Sequence, residues 1–426
     1  MANIKPFRGI RFNCSLIDDP GKVITPPYDV IDDHEQDKLH SSSPYNIVRL
    51  EYGKILPGDN EDNNRYTRAA DLLNNWLDTD ILLLEDKQSY YLYEQHFSYH
   101  NTPCIRRGIA AALKLQPYED NVILPHERTM TGPKADRLEL LKATRTNTSP
   151  IFTLYPDPEN RVEDFFQLIA GKEPVFESKE HDGQFHRLWK ITDSSSLSEI
   201  TTYIQSQPLL IADGHHRYET ALDYSRLLIE GHEESAGYIL TFMVSMQDPG
   251  LLVLPTHRLL SGLSSEQQTS LKRIIDNNFS VHDYGNPSDL NRTEYFVDLK
   301  NLSVSNNGFG FITHGQVSLL TPKNDMKYPG LSLPVDILHK TILQPLLAPG
   351  EKSEVDKDLI TYPHDLDSAI DSVLYGSANA AFILDTVPVE EVLKHSRAGN
   401  VMPQKTTFFF PKLPGGLVLY NMDHGF

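Results

Sequence analysis

The fold is decided by a short apolar run that stops at Asp-Gly and passes directly into a polar cluster: Leu209-Leu210-Ile211-Ala212-Asp213-Gly214-His215-His216-Arg217-Tyr218-Glu219-Thr220-Ala221. Residues 209–212 have the length and composition of a buried strand. From Tyr218 onward, apolar residues recur at helical spacing as far as Ile229, and Gly231 is a typical helix stop. This stretch therefore predicts a strand, a tight turn and the start of a helix.

The polar residues of this turn indicate anion binding. Backbone N–H groups of a first helical turn lack partners within the helix and lie at the positive end of its dipole. A phosphate could be held there by the amides from Gly214 onward, by Arg217, and by a protonated or donating His215 or His216. N-capping alone explains Asp213, but it does not explain the His-His-Arg run.

A metal site is a weaker interpretation of the same turn. His215 and Glu219 are four residues apart, and His216 and Glu219 are three apart, so each pair could share a helix face. The sequence shows no third ligand and no His-Glu-x-x-His motif. It also lacks the P-loop, the Gly-x-Gly-x-x-Gly fingerprint, the Gly-x-Ser-x-Gly elbow and a Cys-x-x-Cys pair, so phosphate chemistry would have to use this turn.

Length and composition limit the class of protein. A chain of 426 residues exceeds one ordinary core, so two or three domains are expected. With 39% hydrophobic and 23% charged residues, and no apolar run near the roughly 18 residues of a spanning helix, we expect a soluble protein without a membrane partner. The net charge of −19 argues against nucleic acid, and only two cysteines suit a reducing cytoplasm.

A second polar constellation leads into another predicted helix: Pro125-His126-Glu127-Arg128-Thr129-Met130-Thr131-Gly132-Pro133-Lys134-Ala135-Asp136-Arg137. Pro133 suits the first turn of that helix. Glu127 could be a general base or a metal-linked carboxylate, and Arg128, Lys134 and Arg137 supply the positive charge that phosphoryl oxygens need. The alternative is a solvated helix face with Asp136 and Arg137 as surface ions. The Asn147–Pro150 turn that follows is interpreted as structural.

Two proline-stiffened loops complete the candidate site residues. Near the start, a double proline could hold Tyr28 and Asp29 ready for a ligand. Near the end, Lys405 and Thr406 could cap a phosphate, although an exposed lysine before a strand is an equal alternative.

Together these segments resemble the bacterial family called domain of unknown function 1015, and the resemblance spans nearly the whole chain. It is carried by Pro26-Pro27-Tyr28-Asp29-Val30-Ile31, Glu127-Arg128-Thr129 with 134–137, Ser149-Pro150-Ile151-Phe152, the 212–221 stretch, and Met402-Pro403-Gln404-Lys405-Thr406-Thr407. The Asp-Gly-His-His-Arg turn is also similar to the phosphate-binding turn of the ParB and sulfiredoxin superfamily, which includes kinases of free serine.

The resemblance implies a nucleotide site of ATP or ADP with Mg²⁺. By analogy with those kinases, Asp213 assists the metal ion or the attacking hydroxyl, and residues 214–217 hold phosphates. Sulfiredoxin activity is disfavoured because His215 stands where a reactive cysteine is expected, and a partition role is disfavoured by the acidic charge.

The sequence predicts short strands at 47–51, 90–97, 151–155, 380–384 and 417–420 and a helix from Asn64 to Trp76, and 238–244 is a further apolar segment. We therefore expect a mixed α+β protein with a ParB/sulfiredoxin-like core. The expected regions are an N-terminal α/β region (1–160), the core (161–300) and a C-terminal region (301–426). The leading hypothesis is a Mg²⁺-dependent phosphotransferase acting on a small hydroxyl metabolite, with free L-serine as first substrate to test. Self-association into a homo-oligomer stays open. The alternatives are a phosphatase or nucleotide hydrolase, and a module that binds nucleotide without turnover.

The roles expected of the candidate residues follow from that hypothesis. Asp213, Glu127 and His216 are expected to be catalytic, with Asp213 also facing the metal ion. The residues expected to hold the nucleotide are Gly214, His215, Arg217, Lys134, Arg137, Lys405 and Thr406. The residues expected to contact the substrate are Tyr28, Asp29, Arg128 and Thr129.

Overall fold

The computed structural model describes residues 1–127, 129, 131–178, 183–228, 234–323, 333–348 and 359–426. Its strands are β1 Ile4–Lys5, β2 Ile10–Phe12, β3 Leu82–Leu84, β4 Tyr90–Tyr99, β5 Thr102–Lys114, β6 Ile123–Leu124, β7 Thr146–Asn147, β8 Ile151–Tyr155, β9 Phe176–Glu177, β10 Phe185–Ile191, β11 Leu209–Asp213, β12 Tyr238–Ser245, β13 Leu252–Leu254, β14 Arg258–Leu260, β15 Phe279–Gly285, β16 Phe309–Thr313, β17 Gln316–Pro322, β18 Ile360–Thr361, β19 Ala380–Ile383, β20 Phe408–Phe410 and β21 Tyr420–Asn421.

Helices alternate with these strands, so the predicted mixed α and β class is confirmed. The α-helices are α1 Asp33–Ser42, α2 Val48–Glu51, α3 Arg65–Asp78, α4 Thr131–Thr144, α5 Arg161–Gln167, α6 Ser194–Gln205, α7 His215–Leu228, α8 Ser265–Asn278, α9 Arg292–Asn306, α10 Pro334–Leu338, α11 Gln344–Leu347, α12 Leu366–Leu374 and α13 Val389–Arg397. Within the described ranges, no helix combines the length and the apolar character that crossing a membrane requires.

The chain divides into two compact units. The first comprises residues 1–252, 393–400 and 409–426, and the second comprises 253–392 and 401–408. These limits do not coincide with the expected boundaries at residues 160 and 300. The first unit is discontinuous because its last segment returns to pair with its early strands: β21 is antiparallel to β7, and Leu419 bridges Ile10.

A mixed sheet forms the centre of the first unit, in the order β6-β11-β8-β12-β5-β4-β10-β9, with β1 beside β5. Every residue of β8 and β12 is buried, as expected of strands covered on both faces. β11, which ends in Asp213, lies between β6 and β8. The strand that leads into the turn after Asp213 is thus paired on both sides within the sheet.

The second unit is built on an antiparallel sheet in the order β15-β17-β16-β19-β14-β18. Its core includes Tyr295 and Leu299 of α9 and Ile370 and Val373 of α12, packed with buried residues of the sheet. The apolar stripe of each helix covers one face of the sheet and buries it.

Most of the elements predicted from the sequence are confirmed. Asn64 caps α3 through a capping box with Thr67, as expected for the predicted helix from Asn64 to Trp76. The strands predicted at 90–97, 151–155 and 380–384 correspond to β4, β8 and β19, and the apolar segment 238–244 lies in β12. The helical spacing at Ile229 and the expected stop at Gly231 lie outside the described residues.

Two predicted strands need correction. Residues 47–51 are not a strand, because Val48–Glu51 form α2. The side chain of Asn46 accepts the N–H of Val48 at 2.9 Å and donates to the carbonyl of Lys22 at 2.8 Å, and these bonds start a helical turn despite the β-favouring residues. The predicted strand 417–420 is strand only from Tyr420, in β21.

Candidate active site

The turn between β11 and α7 requires the glycine that the sequence places there. Gly214 has φ +92°, a conformation that residues with a Cβ rarely adopt. An added Cβ would lie 3.0 Å from Ile151 Cγ2 and 3.1 Å from Arg217 Nε. The backbone of the turn therefore approaches the guanidinium more closely than any other residue type allows.

Asp213 is held between two cationic side chains. Its Oδ1 accepts from Lys412 Nζ at 2.5 Å, and its Oδ2 accepts from Arg217 Nη2 at 2.8 Å. Burial opposes ionisation, but Lys412 and Arg217 together hold the pKa of Asp213 well below its usual range. Both oxygens are thus engaged with cations, and the expected metal-facing role of Asp213 stays a prediction.

Arg217 links the turn to the segment before β8. Its Nη1 donates to Ser149 Oγ at 3.1 Å and to the carbonyl of Pro150. The side chain is only 10% exposed, and its Nε is buried with no hydrogen-bond partner in the described part of the chain. A buried N–H without a partner is rare and calls for a ligand or water.

His215 connects the turn to the second polar constellation. The ring is buried, and its Nε2 accepts the backbone N–H of His126 at 3.2 Å. His126 Nδ1 in turn lies 2.7 Å from the carbonyl oxygen of Ile211, and the two rings pack edge to face. Burial lowers the pKa of His215 to about 3, so the ring is neutral and does not supply the positive charge considered from the sequence.

His216 stands among acidic groups from three segments. Burial lowers the pKa of its ring, and the nearby carboxylates of Glu219, Asp29 and Glu127 oppose that shift. Glu127 Oε1 also lies 3.6 Å from His126 Nε2. The structure thus brings Asp29, Glu127 and His216, predicted from three separate motifs, into one electrostatic neighbourhood.

Glu219 joins the two polar motifs directly. It lies one turn into α7 and accepts from Thr129 Oγ1 at 2.6 Å. Lys134 of α4 pairs with the same carboxylate. Lys134 and Thr129, expected to serve nucleotide and substrate, therefore lie beside residues 213–217, which we call the phosphate turn after the role expected from the sequence. Arg128 lies outside the described residues.

Arg137 is a buried anchor, which rules out the alternative that it is a surface ion. It is 6% exposed, and it donates to Asp136 Oδ2 at 2.5 Å and to the carbonyl of Glu51 at 2.8 Å. Its guanidinium lies 4.1 Å from the ring centre of Tyr28. Burial raises the pKa of Tyr28 to about 12, while Arg217 and Arg137 act in the opposite direction.

Three residues that sequence reasoning did not assign to the site hold it together. Glu51 is 2% exposed and accepts from Thr148 and, at 2.9 Å, from Ser149, although the Asn147–Pro150 turn was interpreted as purely structural. Lys412 lies five residues beyond the 402–407 segment and was given no role from the sequence. Ser149 stands in the Ser149–Phe152 segment that carries the family resemblance, and this was the available sequence signal. Glu51 offered no such signal, because it lies in the stretch predicted as a strand.

Lys405 and Thr406 belong to the second unit. Lys405 has φ +57°, and its carbonyl accepts from Arg258 Nη2 at 3.1 Å. Thr406 is buried and donates to the carbonyl of Pro403 at 2.6 Å. Their expected contact with phosphate stays a prediction.

The described ranges contain no group of three His, Cys, Asp or Glu side chains arranged to hold a metal ion. Catalytic Mg²⁺ is commonly held by one or two carboxylates together with substrate phosphates, so this finding does not bear on a metal ion that arrives with a nucleotide.

Comparison with known proteins identifies a family and a set of distant structural neighbours. A family model described as protein of unknown function (DUF1015) matches residues 4–345. No curated protein matches the sequence. Among solved structures, a conserved hypothetical protein from Pyrococcus furiosus is 15% identical, with a TM-score of 0.37, covering 75% of this chain and 97% of its own.

Two further solved structures of named proteins are similar to this chain. A free serine kinase variant in complex with AMP is 13% identical with a TM-score of 0.39, covering 73% of this chain and 92% of its own. SbnI with a C-terminal truncation, from Staphylococcus aureus, is 8% identical with a TM-score of 0.36, covering 71% and 85%.

Proposed function

The chain belongs to the family described as protein of unknown function (DUF1015). We propose that it is a phosphotransferase that moves a phosphoryl group from ATP or ADP to a small hydroxyl-bearing metabolite, with free L-serine as the first acceptor to test.

One observation carries this proposal: two polar motifs nearly 90 residues apart converge on one helix start. Thr129 bonds to Glu219 across 90 positions, and His126 bonds to His215 across 89. Phosphoryl transfer asks a protein mainly for positioning and for stabilisation of spread negative charge. A rigid helix start flanked by Arg217 and Lys134 suits that demand.

The turn itself fits a phosphate. Gly214 lets the backbone approach a ligand closely, and the first amides of α7 point along the positive end of a 14-residue helix. The partnerless Nε of Arg217 is a donor that an anionic oxygen could satisfy. Lys134 and Lys412 are already paired with carboxylates, so a phosphate would compete with Glu219 and Asp213 for them.

The acidic residues divide into two roles. Asp213 faces Lys412 and Arg217, so we assign it to orienting these cations. We assign Glu127, which lies near His216, as the carboxylate that accepts a proton from the acceptor hydroxyl. When bound, Mg²⁺ would neutralise charge on the transferring phosphate. The contacts of Asp213 do not favour a metal ion there, and no step is assigned to one at that position.

The test is phosphorus-31 NMR of the protein with Mg²⁺ and ATP or ADP, with and without L-serine. We expect a serine-dependent phosphomonoester signal. Arg217→Lys keeps the charge but loses the planar fork, and should lower the rate about 10²- to 10³-fold. The matched control is Arg226→Lys, on the same helix but about half exposed and paired with Asp223 at 3.4 Å.

The possible outcomes separate the alternatives. Inorganic phosphate released at a rate unaffected by serine would replace the kinase by a hydrolase. Nucleotide binding without any product from a panel of hydroxyl acceptors would leave a binding module. Equal rates for the Arg217 and Arg226 variants would remove the turn from the reaction.

A further inference from the structure

A pocket opens within the first unit, linked to Asp213 through the side chain of Lys412. It has a volume of about 160 Å³, and its wall includes Thr25, Gln184, His186 and Lys412. Pockets for drug-sized ligands occupy about 300–1,000 Å³, so this one suits a small metabolite and not a nucleotide.

The pocket adjoins the candidate active site through one side chain and one loop. Lys412 lines the pocket, and its Nζ binds Asp213 at 2.5 Å. Thr25 and Pro26 also line it, and the same loop continues to Tyr28, whose ring packs under Arg137. A ligand in the pocket would therefore lie beside Lys412, the ion-pair partner of Asp213.

Polar groups of the wall are left without partners. Thr25 is 1% exposed, and its Oγ1 is buried with no hydrogen bond in the described part of the chain. His186 is buried with Nδ1 bonded to the hydroxyl of Tyr93 at 2.8 Å, which leaves Nε2 for a ligand. Gln184 accepts from Gln95 at 2.7 Å through its oxygen, which leaves its amide N–H₂.

The charges of the pocket favour an anion. Lys412, Lys22 and Lys38 line the pocket, whereas Glu35 is the sole acid in the described lining. Each lysine is paired, Lys412 with Asp213, Lys22 with Asp19 and Lys38 with Glu35, so an anion in the pocket would compete with these carboxylates. Burial lowers the pKa of His186 to about 3, so that ring is a neutral hydrogen-bonding group and the lysines carry the positive charge. A carboxylate accepts several such donors at once.

We infer that this pocket is the acceptor subsite and that it holds the carboxylate of a small hydroxy or amino acid through Thr25, Gln184 and Lys412. The inference rests on the proposed function in that it treats the bound molecule as the phosphoryl acceptor. Binding of the carboxylate can nevertheless be measured without turnover. It names the substrate class that the phosphate turn alone leaves open.

The experiment is calorimetric titration of the full chain with three matched probes: L-serine, L-glycerate, which replaces the amine by a hydroxyl, and ethanolamine, which lacks the carboxylate. We expect the two acids to bind and ethanolamine to bind at least tenfold more weakly. Equal binding of ethanolamine would overturn the inference, as would failure of both acids to bind.

The deciding variant is Thr25→Val, which removes the hydroxyl and keeps the shape. Because Oγ1 has no partner in the described chain, a structural role predicts no loss of ligand affinity, and the melting temperature should be unchanged or higher. We expect at least a tenfold loss of acid binding with unchanged ATP affinity. Unchanged acid binding would contradict the assignment.

Failure of the proposed function has a different signature. If the acids bind in a Thr25-dependent manner but no phosphorylated product forms with ATP or ADP, the pocket assignment stands and the phosphotransferase proposal fails. If product forms from L-serine and the Thr25→Val variant has an unchanged KM, the reaction stands and the pocket assignment fails.

Discussion

Replacing Asp213 by Asn should destabilise the first unit by about 3–5 kcal/mol, the usual result of removing one member of a buried ion pair. Asp213 is 16% exposed, and its partners Lys412 and Arg217 are 17% and 10% exposed, so solvent screens the charges little. Asparagine would leave both cations without their anion and would turn an amide N–H₂ toward one of them.

Urea unfolding at pH 7 followed by tryptophan fluorescence measures this loss. Both tryptophans of the chain, Trp76 and Trp189, are buried in the first unit and report its unfolding. The matched control is Asp223→Asn, on α7 but more than half exposed, which should change stability by less than about 0.5 kcal/mol. A similarly small change in Asp213→Asn would refute the reasoning.

A double-mutant cycle and a pH series sharpen the result. Lys412→Met combined with Asp213→Asn should cost less than the sum of the single changes, by about 0.5–3 kcal/mol. Because the folded pKa of Asp213 is depressed, its contribution is present above the unfolded value of about 3.9 and is lost as the pH falls toward the folded value. The difference between wild type and Asp213→Asn should therefore shrink in acid.

Three further predictions concern single residues of the first unit. Gly214→Ala should lower the free energy of unfolding in urea by about 1–3 kcal/mol and weaken nucleotide binding, because φ is +92° there and an added Cβ would crowd Arg217. Gly237→Ala, where an added Cβ would lie in open space, should leave both unchanged. Burial raises the pKa of Asp248 to about 6, so the folded form gains stability as the pH falls. Between pH 7 and pH 5, the free energy of unfolding of the wild type should therefore rise by about 1 kcal/mol relative to that of Asp248→Asn, and parallel pH curves would contradict this. Glu51→Gln should lower the free energy of unfolding by about 1.5–3 kcal/mol because charge-assisted bonds to Thr148 and other neighbours weaken, and an unchanged value would show that these bonds are dispensable.

The strand and helix around the phosphate turn could be predicted because their signals are local. An apolar run, a glycine and helical spacing occupy neighbouring positions, and β11 and α7 follow them within one or two residues. Gly214 needed only its place between strand and helix. Residue type was enough to propose Glu127 and Lys134 as site residues. It could not show that both lie near α7.

The ionic scaffold could not be predicted, because its partners are far apart in the sequence. Lys412 meets Asp213 across 199 positions and Glu51 meets Arg137 across 86, and no periodicity encodes such pairs. The spacing of α4 also does not show which face is covered, so Arg137 could not be told from a surface ion. The misassigned strand before Glu51 had the same origin, because hydrogen bonds from Asn46 to distant backbone outweighed local propensity.

The discontinuous path of the first unit has a consequence for biosynthesis. The phosphate turn is complete by residue 217, but the lysine that balances Asp213 is residue 412, and β21 closes on β7 later still. At roughly 5–20 residues per second, a ribosome takes on the order of ten seconds or more to travel from one to the other. Throughout that interval the nascent chain carries an aspartate and an arginine without their third partner, so the charge cluster is assembled only after residue 412 has been synthesised.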